Sequence, residues 1–217
     1  MKRISGQADV NHGRANPESG YTLVEFVVTA VILMTIAAIG IYQLRPTWQD
    51  QEANAGMDQV KSTLRQARET AIAQRRSIVV KFVSAGTSPC SGTGISNCVE
   101  LFQMVVSGTT QTQASSPYLT IPIENGVSFG TYTGETDTPD AFGIPGSGGV
   151  MFNSISGGPS GMTFQSNGSF TDSTGNPING TVFLIAAGVN NSARAVTVLG
   201  NTGRIRSYRN STSGWFQ

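Results

Sequence analysis

The sequence predicts an α+β protein: one long N-terminal helix, apolar in its first half and amphipathic in its second, packed on an antiparallel β-sheet head. Three observations predict it. From Tyr21 to Leu44 the only charged residue is Glu25, and a helix rising 1.5 Å per residue over that run crosses a hydrocarbon core of about 30 Å. Between Thr47 and Arg76 apolar residues recur at spacings of three and four. From Ser77 onward the period falls to two, and a composition of 12% charged residues with 26 Gly and 9 Pro suits short strands joined by many turns.

The apolar run comes first. Lys2, Arg3 and Arg14 precede it, so the positive-inside bias holds the N-terminus in the cytoplasm and sends everything after Arg45 outward. A secretory signal has an apolar region of roughly 7–15 residues followed by a small-residue cleavage site. Here the small residue, Gly20, precedes the run, so a cut there removes the polar leader and keeps the helix. Glu25 is the anomaly, because an ionised carboxylate in hydrocarbon costs about 2.5 kcal/mol or more.

Gly20-Tyr21-Thr22-Leu23-Val24-Glu25 resembles the prepilin-peptidase motif of type IV pilins and type II secretion pseudopilins. The resemblance implies cleavage after Gly20, N-methylation of the new terminal residue Tyr21, and an assembly role for Glu25. A carboxylate left without a partner in lipid gains one when the amine of a neighbouring subunit packs beside it. The partners implied are other pilin or pseudopilin subunits, the prepilin peptidase and the inner membrane. The implied placement is single-pass, with the head in the periplasm, and in a filament or at the cell surface after assembly. Tyr21 stands where Phe is more usual, and the leader of 20 residues is longer than many.

Beyond the run, Pro46 lacks an N–H and clashes with the preceding turn, so it kinks or restarts the helix. Met57, Val60, Leu64, Ala67 and Ala71 then form a stripe, with Lys61, Arg65, Arg68 and Arg75 largely on other faces. The chain thus divides into a cleaved leader 1–20, a transmembrane half-helix 21–45, an amphipathic half 46–76 and a β-rich head 77–217.

In the head, SIVVKFVS and VELFQMVVS read as strands. Cys90 and Cys98 bound the Gly/Ser-rich loop between them, and outside the cytoplasm they read as a disulfide. Two Cys without a His or a further Cys do not complete a tetrahedral metal set. YLTIPI, GVSFGTYT and GGVMFN are short strand candidates in a turn-rich middle. GMTFQSNGSFT reads as a hairpin tipped by Asn167-Gly168, and a three-residue loop with a bulge places Phe164 and Phe170 on one face. TVFLIAA, apolar on both faces, suits a central or helix-covered strand; RAVTVL and RIRSY complete the sheet. The Arg- and Gln-rich helix LRQARETAIAQRRSIVV, the Phe–Gly hairpin and the closing GRIR strand resemble the GspH/FimT branch. That branch includes the minor pseudopilin of type II secretion and the minor type IV pilin linked to DNA uptake.

Most chemistry is excluded by residue type. The only histidine, His12, lies in the leader, so neither a Ser-His-Asp nor a Cys-His arrangement exists in the exported head, and no enzyme, cofactor or metal is expected. Asp137 and Asp140 flank Pro139, but the alternating acids of a calcium loop are missing. Charge is unevenly spread. No base occurs between Lys81 and Arg194, a stretch that holds Glu100, Glu124, Glu135, Asp137, Asp140 and Asp172, and no acid follows Asp172.

The basic end is the remaining candidate. As a strand, residues 204–208 place Arg204, Arg206 and Tyr208 on one face at intervals of about 6.6 Å, with Ile205 inward. Arg209, Trp215 and Phe216 extend that rail if the tail is mobile, giving the mixture of cations and rings used in sequence-independent DNA binding. Gly203-Arg204-Ile205-Arg206 resembles the Gly-Arg-x-Arg motif of FimT-like minor pilins, which implies DNA contact. The alternatives are a charged edge strand that resists edge-to-edge pairing, or arginines that meet the acidic middle of a neighbouring subunit.

Overall fold

The computed structural model describes residues 22–84, 90, 97–107, 110–123, 126–144, 148–152, 162–186, 192–211 and 213–217. The chain divides after Gln43 into two compact units. One helix, α1, is assigned over Leu23–Gln74. Its backbone is helical through Pro46 rather than restarting after it.

In the first unit, Leu23–Ile41 is a 19-residue apolar stretch with mean hydropathy 2.4 and none of it buried. In the second unit, the stripe read from spacing is the buried face of α1: Met57, Val60, Leu64, Ala67 and Ala71, with Ala53, are at most 2% exposed. The helix ends in a left-handed cap made by a non-glycine residue. Arg75 has φ 52°, its N–H donates to Ile72 O (3.3 Å), and Arg76 N–H donates to Ala71 O (3.2 Å).

The strands are β1 (Ile78–Val83), β2 (Cys98–Ser107), β3 (Thr110–Gln113), β4 (Leu119–Pro122), β5 (Val127–Phe129), β6 (Val150–Phe152), β7 (Met162–Phe164), β8 (Phe170–Thr171), β9 (Gly180–Ala186), β10 (Arg194–Leu199), β11 (Arg204–Ser211) and β12 (Gly214–Phe216). They form two antiparallel sheets rather than the single sheet expected. The first runs β3-β2-β1-β7-β8 with β4 also on β2, and the second runs β12-β11-β10-β9-β5 with β6 also on β9. One apolar core joins both sheets to α1.

The Asn167-Gly168 hairpin has the expected bulged form. Gly168 (φ 83°) sits in the left-handed region, Gln165 N–H donates to Ser169 O at 2.9 Å, and Phe164 faces Phe170 across the register. Both rings are buried, 4.6 Å apart between centroids. Strand β9 is central, as its double-sided apolarity requires. Val182, Leu184 and Ala186 face the main core, while Phe183 joins Ala195, Tyr208 and Trp215 in a second cluster. The loop 130–144 meets that cluster: Trp215 Nε1 donates to Thr136 O at 2.8 Å, and the Tyr132 hydroxyl donates to Ala186 O at 2.6 Å.

Candidate functional site

Two regions carry the residues singled out by sequence, and they differ in how their charges are handled. Gly20 and Tyr21 lie outside the described residues. Thr22 caps α1: its Oγ1 accepts the Glu25 N–H at 3.3 Å, and its carbonyl accepts the Phe26 N–H at 3.1 Å. This places Glu25 in the first turn, where the helix dipole favours a carboxylate. Among the described residues no ion pair involves Glu25.

The other polar groups of the stretch are satisfied internally. The Thr29 hydroxyl lies 3.0 Å from Glu25 O and 2.9 Å from Phe26 O, and the Thr35 hydroxyl donates to Ile32 O at 2.8 Å. Such back-bonding lets hydroxyls sit in an apolar medium without stranded donors. Leu23, Phe26, Leu33 and Met34 are all exposed, so this surface needs an apolar cover.

At the basic end, Arg204, Arg206 and Tyr208 do share one face of β11, with Ile205 buried on the other. The face is not a free cationic rail. Asp140, in the loop 130–144, lies 3.0 Å from Arg206 Nη1 and 3.8 Å from Arg204 Nη2, and its second oxygen accepts the Thr197 hydroxyl at 2.6 Å. The Arg206 pKa is raised, chiefly by the Tyr208 hydroxyl 3.4 Å from its Nη1; desolvation opposes the shift, and the Asp140 charge adds to it. Tyr208 itself is 2% exposed, in the cluster with Phe183 and Ala195, so it is not a stacking platform. Arg209 falls on the opposite side of the strand by alternation, beside Arg194 in the register. Trp215 and Phe216 belong to β12, paired on β11, rather than to a mobile tail. The acidic middle therefore meets the basic end within one chain.

Gly203 has its own structural reason. At φ 60°, a Cβ there would lie 2.0 Å from Gly168 O and 2.8 Å from Arg68 Nε. The turn between β10 and β11 presses on the tip of the β7–β8 hairpin, and Arg68 of α1 binds both: Nε donates to Gly168 O at 3.2 Å and Nη2 to Thr202 O at 3.1 Å. The glycine of Gly-Arg-x-Arg is thus required by packing, whatever the arginines do. Beside this junction a recess of about 440 Å³ brings Arg204 to Arg65 and Arg68.

Sequence reasoning missed several charged contacts. Arg194 is buried, with Nη2 3.3 Å from Asp50 and Nε donating to Asn54 Oδ1 at 2.8 Å. Burial lowers its pKa, and Asp50 works in the opposite direction. Glu135, in a recess of about 510 Å³ with Ser211, accepts a hydrogen bond from Asn210 Nδ2. Desolvation raises the pKa of its carboxyl, and the Asn210 bond lowers it in part. The uneven charge spread was the available signal for acid–base pairing; the partners were not readable, because Asp50 and Arg194 are 144 residues apart. Asp137 folds its own loop, accepting from Thr138 N–H at 2.7 Å and Gly143 N–H at 2.8 Å. Cys90 and Cys98 are disulfide-bonded, with Cα atoms 6.3 Å apart.

No protein-family model and no curated relative matches the chain. Among the solved structures that align over most of it are a minor pseudopilin and a minor pilin. The minor pseudopilin EpsH of the Vibrio cholerae type II secretion system is 13% identical, covering 73% of this chain and 97% of its own, at a TM-score of 0.43. The Pseudomonas aeruginosa type IV minor pilin FimU is 16% identical, covering 77% and 94%, also at 0.43. Within the chain itself, α1 is apolar over Leu23–Ile41, and its later residues pack in one core with antiparallel strands.

Proposed function

We propose that the chain is a non-enzymatic minor pilin or pseudopilin, cleaved after Gly20, that enters a type IV pilus or type II secretion pseudopilus through α1. The observation that carries this reading is a single acid in the first turn of an otherwise uncharged, wholly uncovered apolar stretch, Leu23–Ile41. In the membrane the Glu25 carboxylate lacks a counter-charge. In a filament the α-amino group of a neighbour's Tyr21 compensates it in a low-dielectric setting. Assembly therefore lowers a cost that the isolated subunit carries.

The test is Glu25→Ala and Glu25→Leu in the host. Membrane insertion stays intact and incorporation into filaments falls; unchanged incorporation defeats the reading. Mass spectrometry of the native protein checks the cleavage directly, since Met1–Gly20 must be gone.

A second reading, DNA contact at a pilus tip for DNA uptake, is favoured by the recess that gathers Arg204, Arg65 and Arg68. It predicts salt-dependent DNA binding whose slope falls in Arg204→Ala/Arg206→Ala. Absence of binding at low salt leaves the assembly role alone.

A further inference from the structure

The chain has two tryptophans, Trp48 and Trp215. Trp215 packs against Phe183, centroids 5.6 Å apart, with its indole N–H bonded to a carbonyl. Trp48 is different. Its side chain is 56% exposed, although Ala53, Met57 and Val60 farther along the same helix are fully covered by the sheets. A large ring left to solvent beside an efficient core calls for a partner.

Its position names one. In sequence Trp48 lies four residues past Leu44, where the uncharged run ends, and is followed by Gln49, Asp50, Gln51 and Glu52. Four helical residues rise about 6 Å, which is close to the depth of one headgroup layer outside the hydrocarbon core. An indole has an apolar body and one N–H donor, the combination that concentrates tryptophan at membrane–water boundaries. Two residues on, Asp50 is tied to the buried Arg194 of β10, so the position of Trp48 is coupled to that of the head.

We propose that Trp48 is an interfacial anchor seated among the lipid headgroups of the outer leaflet. The proposal rests on the membrane-spanning reading of Leu23–Ile41. In the membrane-resident subunit the ring lies in the headgroup layer, its N–H facing ester and phosphate oxygens and its face over the first methylenes.

The experiment uses the full chain in phosphatidylethanolamine/phosphatidylglycerol vesicles, with Trp215→Phe so that Trp48 is the sole emitter. Lipids brominated near the headgroup should quench it several-fold more strongly than lipids brominated deep in the chain, and aqueous iodide should quench it several-fold less than in the urea-unfolded protein. A control chain carries Met34→Trp with Trp48→Phe and Trp215→Phe. If Met34→Trp is quenched by deep bromines while Trp48 stays open to iodide, the span holds and the anchor is refuted. If Trp48 is quenched most by deep bromines, it lies in hydrocarbon and the anchor is again refuted. If Met34→Trp is not reached by any brominated lipid, the spanning reading fails and the anchor falls with it.

Discussion

The first turn of α1 and the outer face of β11 both present charges that look available in sequence, but the molecule treats them in opposite ways. On β11, Arg204 and Arg206 converge on Asp140, and Tyr208 is buried in the cluster with Phe183 and Ala195. Glu25 has no ion pair among the described residues and stands on an exposed apolar helical stretch. Charge satisfied inside the chain serves the fold. Charge left over on an apolar surface is a demand on another molecule, because leaving it unpaired in a low dielectric costs several kcal/mol.

The largest expected effect tests whether Gly203 belongs to the fold or to a contact surface. Gly203→Ala places a Cβ against Gly168 O at a left-handed position, and should cost about 3 kcal/mol or more in urea unfolding of the full chain in detergent. A loss under about 0.5 kcal/mol would return the motif's glycine to a purely functional role.

Asp140→Asn comes next. It frees two guanidiniums and weakens the Thr197 bond, so stability should fall by about 1–2 kcal/mol. Retention on immobilised heparin should move to higher salt than for the wild type. Unchanged retention would mean that the pairing with Asp140 does not limit the arginine face, and the contrast with Glu25 would lose its basis.

Smaller effects come from pH, with opposite signs in two loops. Desolvation raises the Glu135 pKa in the fold, so its contribution is complete below the ordinary carboxylate range and is lost as pH rises through the folded value. Glu135→Gln should therefore gain stability on the wild type as pH rises from about 4 to 7. The Asp172 pKa is lowered, chiefly by the Thr174 hydroxyl and then by the Asn176 and Thr174 N–H groups. Its contribution is present above the ordinary range and is lost as pH falls through the folded value. Asp172→Ala should be less stable than wild type near neutrality, with the difference vanishing in acid. Melting curves across pH check both signs.

The smallest effect is the most discriminating. Glu25→Ala should leave the melting of the head within about 0.5 kcal/mol of wild type, while incorporation into filaments falls. A destabilised head would show that Glu25 serves the fold of its own chain, as Asp140 does.

Much of the fold was legible because it depends on local periodicity. The stripe Met57, Val60, Leu64, Ala67 and Ala71 follows the 3.6-residue helical repeat, and every member is buried. The hairpin was readable from Asn167-Gly168, since its loop type follows from a residue tolerant of positive φ. β3 (TQTQ) and β12 (GWF) were not, because an all-polar strand and a three-residue strand leave no alternation to detect. In the candidate regions the first-turn position of Glu25 could be read, but the fate of the arginines could not.

The sequence by itself determined the apolar stretch, the lone acid at its start, the amphipathic stripe, the redox pairing of Cys90 with Cys98 and the face shared by Arg204, Arg206 and Tyr208. Each depends on residue type and short-range spacing. Only the tertiary structure decided that the strands split into two sheets, that Asp140 occupies the arginine face, that Arg68 and Gly203 lock a three-way junction, and that Arg194 is buried against Asp50. Those outcomes depend on which distant segments meet. Chain closure over scores of residues has an entropic cost that depends only weakly on loop length, so local sequence carries little information about the choice of partner, and the collective packing of one core selects it.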